Sequence, residues 1–289
     1  MDIPLILVTN DDGIESTGLW AIVEALLPIA QVLVVAPDRQ WSGGGRSMPP
    51  TVTGAIRPYL REIDGQHVLG YAVDASPALA VQHAVLELAP RMPSLVVSGV
   101  NNGYNLSTEV TISGTVGAAL EGAAFGIPAL AVSLEMDPRY HLLGDAQADY
   151  SSAMAYVQRF AMHLLAYPLP YDADVLNINL PASATPDTPW RLTRLARCRY
   201  FEPQAPDRAR GFGRPGYARL TDPMRTRTDS DIWAVMVDRV VSVTPVSLDL
   251  TARTDLHRLE DELETGVKES LMRMDALSMI LPYPMTAAA

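Results

Sequence analysis

Short, uninterrupted apolar runs that each stop at a polar cluster constrain this chain more than any other feature of its sequence. Pro4 to Thr9 (PLILVT) has strand length and stops at Asn10-Asp11-Asp12-Gly13, a turn signal. Gln31 to Ala36 stops at Pro37-Asp38, and Leu95 to Val97 stops at Ser98-Gly99. Further strands are expected near Tyr71 to Val73, at Ala129 to Leu134 and at Asp174 to Leu180. Helical stretches separate them. Leu19 to Leu27 has helix-compatible apolar spacing, Ser76-Pro77 forms a cap and first helical residue before AVQHAVLEL, and Thr115 to Phe125 is rich in alanine. Continuous rather than alternating apolar strands belong to a sheet covered on both faces. Strands separated by helices read as βαβ units. The expected fold class is α/β, a doubly wound, mostly parallel sheet between two helical layers, with sites beyond the carboxyl ends of the strands.

After Pro181 the composition shifts. Pro and Arg become frequent from Pro186 to Arg227, which reads as an arm or hairpin. Residues 233–244 (WAVMVDRVVSVT) alternate enough for a strand, and Leu256 to Leu271 reads as a last helix. The expected division is a catalytic core over residues 1–185 and a C-terminal region over 186–289, with the arm, a returning strand and a terminal helix used in oligomerisation. A net charge of −11 argues against a duplex nucleic-acid partner, though a bound cation can reverse the local field for a small anion. No stretch approaches the roughly 18 apolar residues of a membrane span, and no basic region precedes an apolar run at the N-terminus. Cys198 is the only cysteine, so no disulfide forms within the chain, and a cytoplasmic setting is expected.

Four polar clusters could carry chemistry. Asp11 and Asp12 are adjacent at a strand end and repel each other unless something cationic joins them. Carboxylate oxygens suit Mg²⁺ or Mn²⁺, while the plain alternative is a solvated turn. Ser98-Gly99-Val100-Asn101-Asn102-Gly103 offers an amide oxygen at Asn101, or is a polar loop. Ser113-Gly114-Thr115 immediately precedes a helix, where free N–H groups and the dipole favour an anion; a simple helix cap has the same signature. Ser42-Gly43-Gly44-Gly45-Arg46-Ser47 allows close backbone approach to a ligand, and Arg46 could pair with phosphate; otherwise it is a flexible loop. None of His67, His83, His141, His163 and His257 has metal-ligand spacing, and neither Ser98 nor Ser113 lies in a G-x-S-x-G frame. Trp41 and Tyr104 are the aromatics best placed to stack on a base, or to pack.

Taken in order, LVTNDDGIESTGL, VVAPDRQWSGGGRS, SLVVSGVNNGYNL and TISGTVGAALEGAAFGIPALAVS resemble the SurE family. VLNINLP and VVSVTPVSLDLT are similar as well, so the resemblance spans most of residues 3–251. It implies a three-layer Rossmann-like core and divalent-metal-dependent hydrolysis of nucleoside 5′- and 3′-monophosphates, with short polyphosphate a further substrate in some members. The family's metal ligands match Asp11, Asp12, Ser42 and Asn101, for one Mg²⁺ or Mn²⁺ per subunit. Its phosphate-facing residues match Ser113, Gly114 and Thr115, with Gly43 and Asn105 beside them. Homodimers and homotetramers built partly through exchanged C-terminal arms are typical, and Trp190 to Asp229 is where such an arm would lie. The chain departs from the family pattern in two places. Ala75-Ser76-Pro77-Ala78-Leu79-Ala80 stands where G-T-P-A-D-C is usual, and Arg46 stands where His or Asn is frequent.

The expected mechanism is attack by water, with Asp11 and Asp12 as catalytic and ligand residues and Asp12 as the proton acceptor. The alternatives are an aspartyl-phosphate formed on Asp11, a nucleotide-binding protein without catalysis, and a dinucleotide-dependent oxidoreductase. The last lacks G-x-G-x-x-G after the first strand.

Overall fold

The computed structural model describes residues 3–136, 148–211, 213, 215–220 and 222–280. Its elements run β1 (Leu5–Thr9), α1 (Thr17–Leu26), β2 (Gln31–Pro37), β3 (Ile56–Ile63), β4 (Gln66–Val73), α2 (Pro77–His83), β5 (Leu95–Asn102) and α3 (Gly114–Ala124). They continue with β6 (Ala129–Leu134), α4 (Ser151–Ala166), β7 (Val175–Leu180), β8 (Trp190–Leu192), β9 (Phe201–Gln204), β10 (Gly216–Arg219), α5 (Asp231–Met236), β11 (Val241–Val246) and α6 (Leu256–Ile280).

Nine strands form one sheet in the order β3-β4-β2-β1-β5-β6-β7-β11-β8. From β4 to β7 every pairing is parallel, and β3 and β11 are antiparallel to their inner neighbours. The mixed α/β class and the mostly parallel sheet are as expected. Alternation along β1 feeds two cores. Ile6 and Val8 pack with Leu19 and Ile22 of α1 and with Tyr156 and Val157 of α4. Leu5 and Leu7 pack with Ala80 and Val81 of α2 and with Val116 and Ala119 of α3. Leu5, Ile6, Leu7 and Val8 are all essentially inaccessible, each worth roughly 1.5–3 kcal/mol of burial. The strand is therefore apolar throughout because both of its faces are covered.

The site is positioned by the neighbours of β1. The chain leaves β1 toward β2 on one side, whereas β5 lies on the other, so a crevice opens at the carboxyl end of β1. Thr9 pairs with Ser98, and β5 then continues beside β6 as far as Asn102, through a register shift between Ser98 and Asn101. The segment read as a polar loop after Val97 is thus strand, and it carries Asn101 and Asn102 past the end of β1.

Three elements differ from the expectations. Residues 233–244 are not one strand: Ser230 caps α5 by accepting the Trp233 N–H at 3.2 Å, and only Val241–Val246 is extended. The alternation there was ambiguous with a short helical turn. β3 and β4 form a hairpin across Asp64-Gly65, whose φ values of 49° and 76° fit the two left-handed positions of a type I′ turn; only the end of β4 was expected. α4 was expected only as a helical pattern around His163, without bounds; Ala153, Tyr156, Val157, Phe160, Ala161 and Leu164 are buried at helical spacing along it.

Part of the segment after Pro186 is hairpin, β9 with β10, while β8 and β11 complete the large sheet. The chain divides into two compact units, Met1–Leu248 and Asp249–Ala289. The second is the long helix α6, whose side chains are exposed from Leu256 to Ser270.

Candidate metal and phosphate site

The turn after β1 is closed by Asn10. Its Nδ2 donates to the Gly13 carbonyl at 3.0 Å, and the Gly13 N–H donates to its Oδ1 at 3.1 Å. These reciprocal bonds brace a short tip from which Asp11 and Asp12 project.

Asp11 is buried. Its Oδ1 accepts the Thr115 hydroxyl at 2.6 Å, and the N–H groups of Gly114 and Thr115 also reach its carboxylate. The contact is close: a Cβ on Gly114 would lie 2.7 Å from the Asp11 Cβ, so only glycine fits there. Ser113 caps α3 by accepting the Val116 N–H at 3.1 Å. The start of α3 therefore lies against a carboxylate of the protein itself. The first N–H groups and the dipole of α3 face Asp11.

The loop after β2 is fastened to the same residue. The Trp41 N–H donates to the Asp11 carbonyl at 2.7 Å, which brings Ser42 alongside. Gly44 N–H donates to the Trp41 carbonyl and Gly45 N–H to the Ile112 carbonyl, both at 2.9 Å. Gly43 turns at φ 77° with open space where a side chain would be. Asp12 accepts Gln40 Nε2 at 3.2 Å and the Asn102 N–H. Asn101 Nδ2 donates to the Gly103 carbonyl at 2.8 Å, which orients the amide and leaves its carbonyl oxygen for a ligand. The ends of β1, β2 and β5 and the start of α3 thus surround the two aspartates.

Asn105, on the chain that follows β5, is held by β6 and β7. Its N–H donates to Asn179 Oδ1 at 2.8 Å, and its carbonyl accepts Asn177 Nδ2 at 2.8 Å and Asn179 Nδ2 at 3.0 Å. Its own side chain donates to the Ser133 hydroxyl at 2.9 Å. Arg46 is ion-paired with Glu121 at 2.6 Å. Tyr104 is buried and meets Tyr200 edge-on at 5.8 Å, so it packs and offers no stacking face, while Trp41 is half-buried under Arg39 at 5.3 Å. His83 pairs with Glu87 and His163 lies against Tyr167; His141 falls outside the described residues.

The electrostatics ask for a cation. Burial raises the Asp11 carboxyl above its ordinary value, against the pull of Thr115 and the α3 N–H groups. Burial and the neighbouring Asp11 charge push Asp12 well above the usual carboxylate range. Asp12 Oδ2 is buried without a hydrogen-bond partner, and among the described residues no Lys, Arg or His forms an ion pair with either aspartate. Nowhere among those residues do three His, Cys, Asp or Glu side chains gather as a ligand set. A metal here rests on two carboxylates completed by neutral oxygens. Such an all-oxygen set fits a hard cation that keeps part of its water shell.

Gln40, Asn177 and Asn179 were not singled out from sequence. A signal existed for the last two, because amides alternating inside an apolar strand (VLNINL) must find partners when buried. Gln40 is exposed and carries no such signal.

The chain is similar to known proteins over most of its length. The family model described as Survival protein SurE matches residues 6–202. The 5′-nucleotidase SurE of Thermococcus gammatolerans is 42% identical over 269 residues, covering 90% of this chain and 98% of that protein. The 5′-nucleotidase SurE of Methanosarcina barkeri is 38% identical, with the same coverage. The crystal structure of the SurE protein from Aquifex aeolicus superposes with a TM-score of 0.66 at 32% identity, covering 86% of this chain and 95% of that one.

Proposed function

Because the chain belongs to the Survival protein SurE family, we infer that it is a divalent-metal-dependent 5′-nucleotidase, a phosphomonoesterase acting on nucleoside monophosphates. The finer reading extends hydrolysis to 3′-monophosphates and short polyphosphate. It has one Mg²⁺ or Mn²⁺ per subunit, held by Asp11, Asp12, Ser42 and Asn101. A homodimer or homotetramer in the cytoplasm belongs to the same reading, in keeping with the lone Cys198.

The observation that carries this reading is the buried Asp11–Asp12 pair, with raised pKa values and an unpartnered Asp12 oxygen. When bound, the cation supplies Lewis-acid charge to a phosphoryl oxygen and polarises water. The chain's own residues do the rest. Asp11 has its carboxylate taken up by Thr115 and the α3 N–H groups, which fixes it as a ligand and disfavours its attack on phosphorus. Water is therefore the nucleophile. Asp12, whose raised pKa brings it toward the working pH, accepts the water proton. Ser113 and the open backbone at Gly43 line the phosphate side. Gly114, Thr115 and Asn105 line it as well, Gly114 and Thr115 while also holding Asp11. The bond from phosphorus to the ester oxygen breaks, and the nucleoside leaves as an alcohol, its oxygen taking a proton from solvent water while the proton on Asp12 returns to solvent.

The test replaces Asp11 or Asp12 with Asn and follows phosphate release from a nucleoside monophosphate and from p-nitrophenyl phosphate, with Mn²⁺ or with EDTA. Each variant is expected to lose at least about 100-fold in kcat/KM. Near-parental turnover in both, or parental turnover in EDTA, would overturn the reading.

A further inference from the structure

The far limb of the glycine-rich loop is held by a network that the metal and phosphate roles leave unexplained. Arg46 Nε donates to Glu121 Oε2 at 2.6 Å, and Gln82 Nε2 donates to Glu121 Oε1 at 2.9 Å. Glu121 lies on α3, about two turns beyond Ser113, and its side chain is only 5% exposed. Its two oxygens are therefore divided, one to the loop and one to α2. The same stretch is pinned elsewhere. Ser76, while capping α2, donates its hydroxyl to the Ser47 carbonyl at 2.7 Å. The Gly45 carbonyl sits so close to α3 that a Cβ on Gly117 would lie 2.5 Å from it.

These contacts answer a physical problem. Three successive glycines lose more conformational entropy on ordering than any other tripeptide, so Gly43-Gly44-Gly45 does not hold a neighbouring ligand in place unaided. A charge-assisted bond to a buried carboxylate is among the stronger available anchors. It acts in one direction only, since Glu121 without Arg46 is a buried charge lacking its counterion.

We propose that Arg46, Glu121 and Gln82 are positioning residues: an ion-pair latch that clamps the glycine-rich loop against α2 and α3 and thereby holds Ser42 beside Asp11, ready for the cation. The consequence for metal binding rests on the metal-dependent reading above, whereas the order of the loop does not.

The experiment uses the full chain, stripped of metal, as Arg46→Lys, Arg46→Gln, Glu121→Gln and the double variant Arg46→Gln/Glu121→Gln. Thermal unfolding, amide hydrogen exchange over residues 42–47, Mn²⁺ binding by calorimetry, and KM and kcat for p-nitrophenyl phosphate are measured on each. Arg46→Gln is expected to lower Tm, and the double variant to regain it, because no charge is left buried alone. The double variant nevertheless exchanges faster at 42–47 and binds Mn²⁺ about tenfold more weakly, with Arg46→Lys in between. Parental exchange and parental Mn²⁺ affinity in a double variant with recovered Tm would overturn the latch. Should its Tm not recover, Arg46→Lys, which keeps the charge, is judged by the same two measurements. A parent that releases no phosphate with Mn²⁺ overturns the phosphatase reading alone, and exchange at 42–47 still decides the latch.

Discussion

The Thr115 hydroxyl donates a hydrogen bond to Asp11, and that single bond works against the burial that raises the Asp11 pKa. Thr115→Val keeps the shape and removes the donor. The Asp11 carboxyl is then expected to rise further, so the ionised form that binds a cation requires higher pH. The acidic limb of the pH–activity profile should move to higher pH, and Mn²⁺ affinity at pH 7 should fall about tenfold, measured by calorimetry. An unmoved limb with parental affinity would show that Thr115 does nothing for Asp11. At this scale the sequence was informative about Asp11 and Asp12, because Asn-Asp-Asp-Gly directly follows an apolar strand and adjacent acids need a counterion. It was silent on Thr115's partner. Ser-Gly-Thr before a helix announces a place for an anion, and only the fold reveals that a carboxylate 104 residues away from Thr115 lies against it.

β7 serves the site without touching the aspartates. Asn179 meets both the N–H and the carbonyl of Asn105, and Asn177 meets the carbonyl again, so two turns of one strand's pleat fix the chain after β5. Asn179→Leu would leave the buried Asn105 N–H without an acceptor. The expected loss is about 2–3 kcal/mol in urea unfolding, with a parental m-value. A loss under about 0.5 kcal/mol would mean that water replaces the clamp. The central elements were legible because a strand buried on both faces is a short apolar run, and here each one stops at turn residues. The hairpin of β3 and β4 was less so, since exposed edge residues such as Arg57 and Glu62 dilute the pattern, although Asp64-Gly65 marked the turn. α5 was misread because six residues are too few for helical spacing to separate from alternation.

Across the whole molecule, two buried acids in metal-free protein are a liability to stability. Both carboxyls have folded-state pKa values above the ordinary 3.8. Well below pH 3.8 both states are protonated and the pair is harmless. As pH rises through 3.8 toward the raised values, the unfolded chain gives up its protons first, so stability falls across that window. In EDTA, the Tm of the parent should therefore drop between pH 4 and 7.5 more steeply than that of Asp12→Asn. Mn²⁺ at 100 times its Kd should add about 2.7 kcal/mol at pH 7.5 to the parent alone. Parallel Tm–pH curves for parent and variant would refute this account.

The brace that Asn10 forms with Gly13 bears on this balance. Because the tip bearing both acids is already rigid, its ordering entropy is spent when the chain folds and not when an ion arrives. Capture then resembles a key entering a cut lock, and the backbone of residues 10–13 should superpose closely before and after loading.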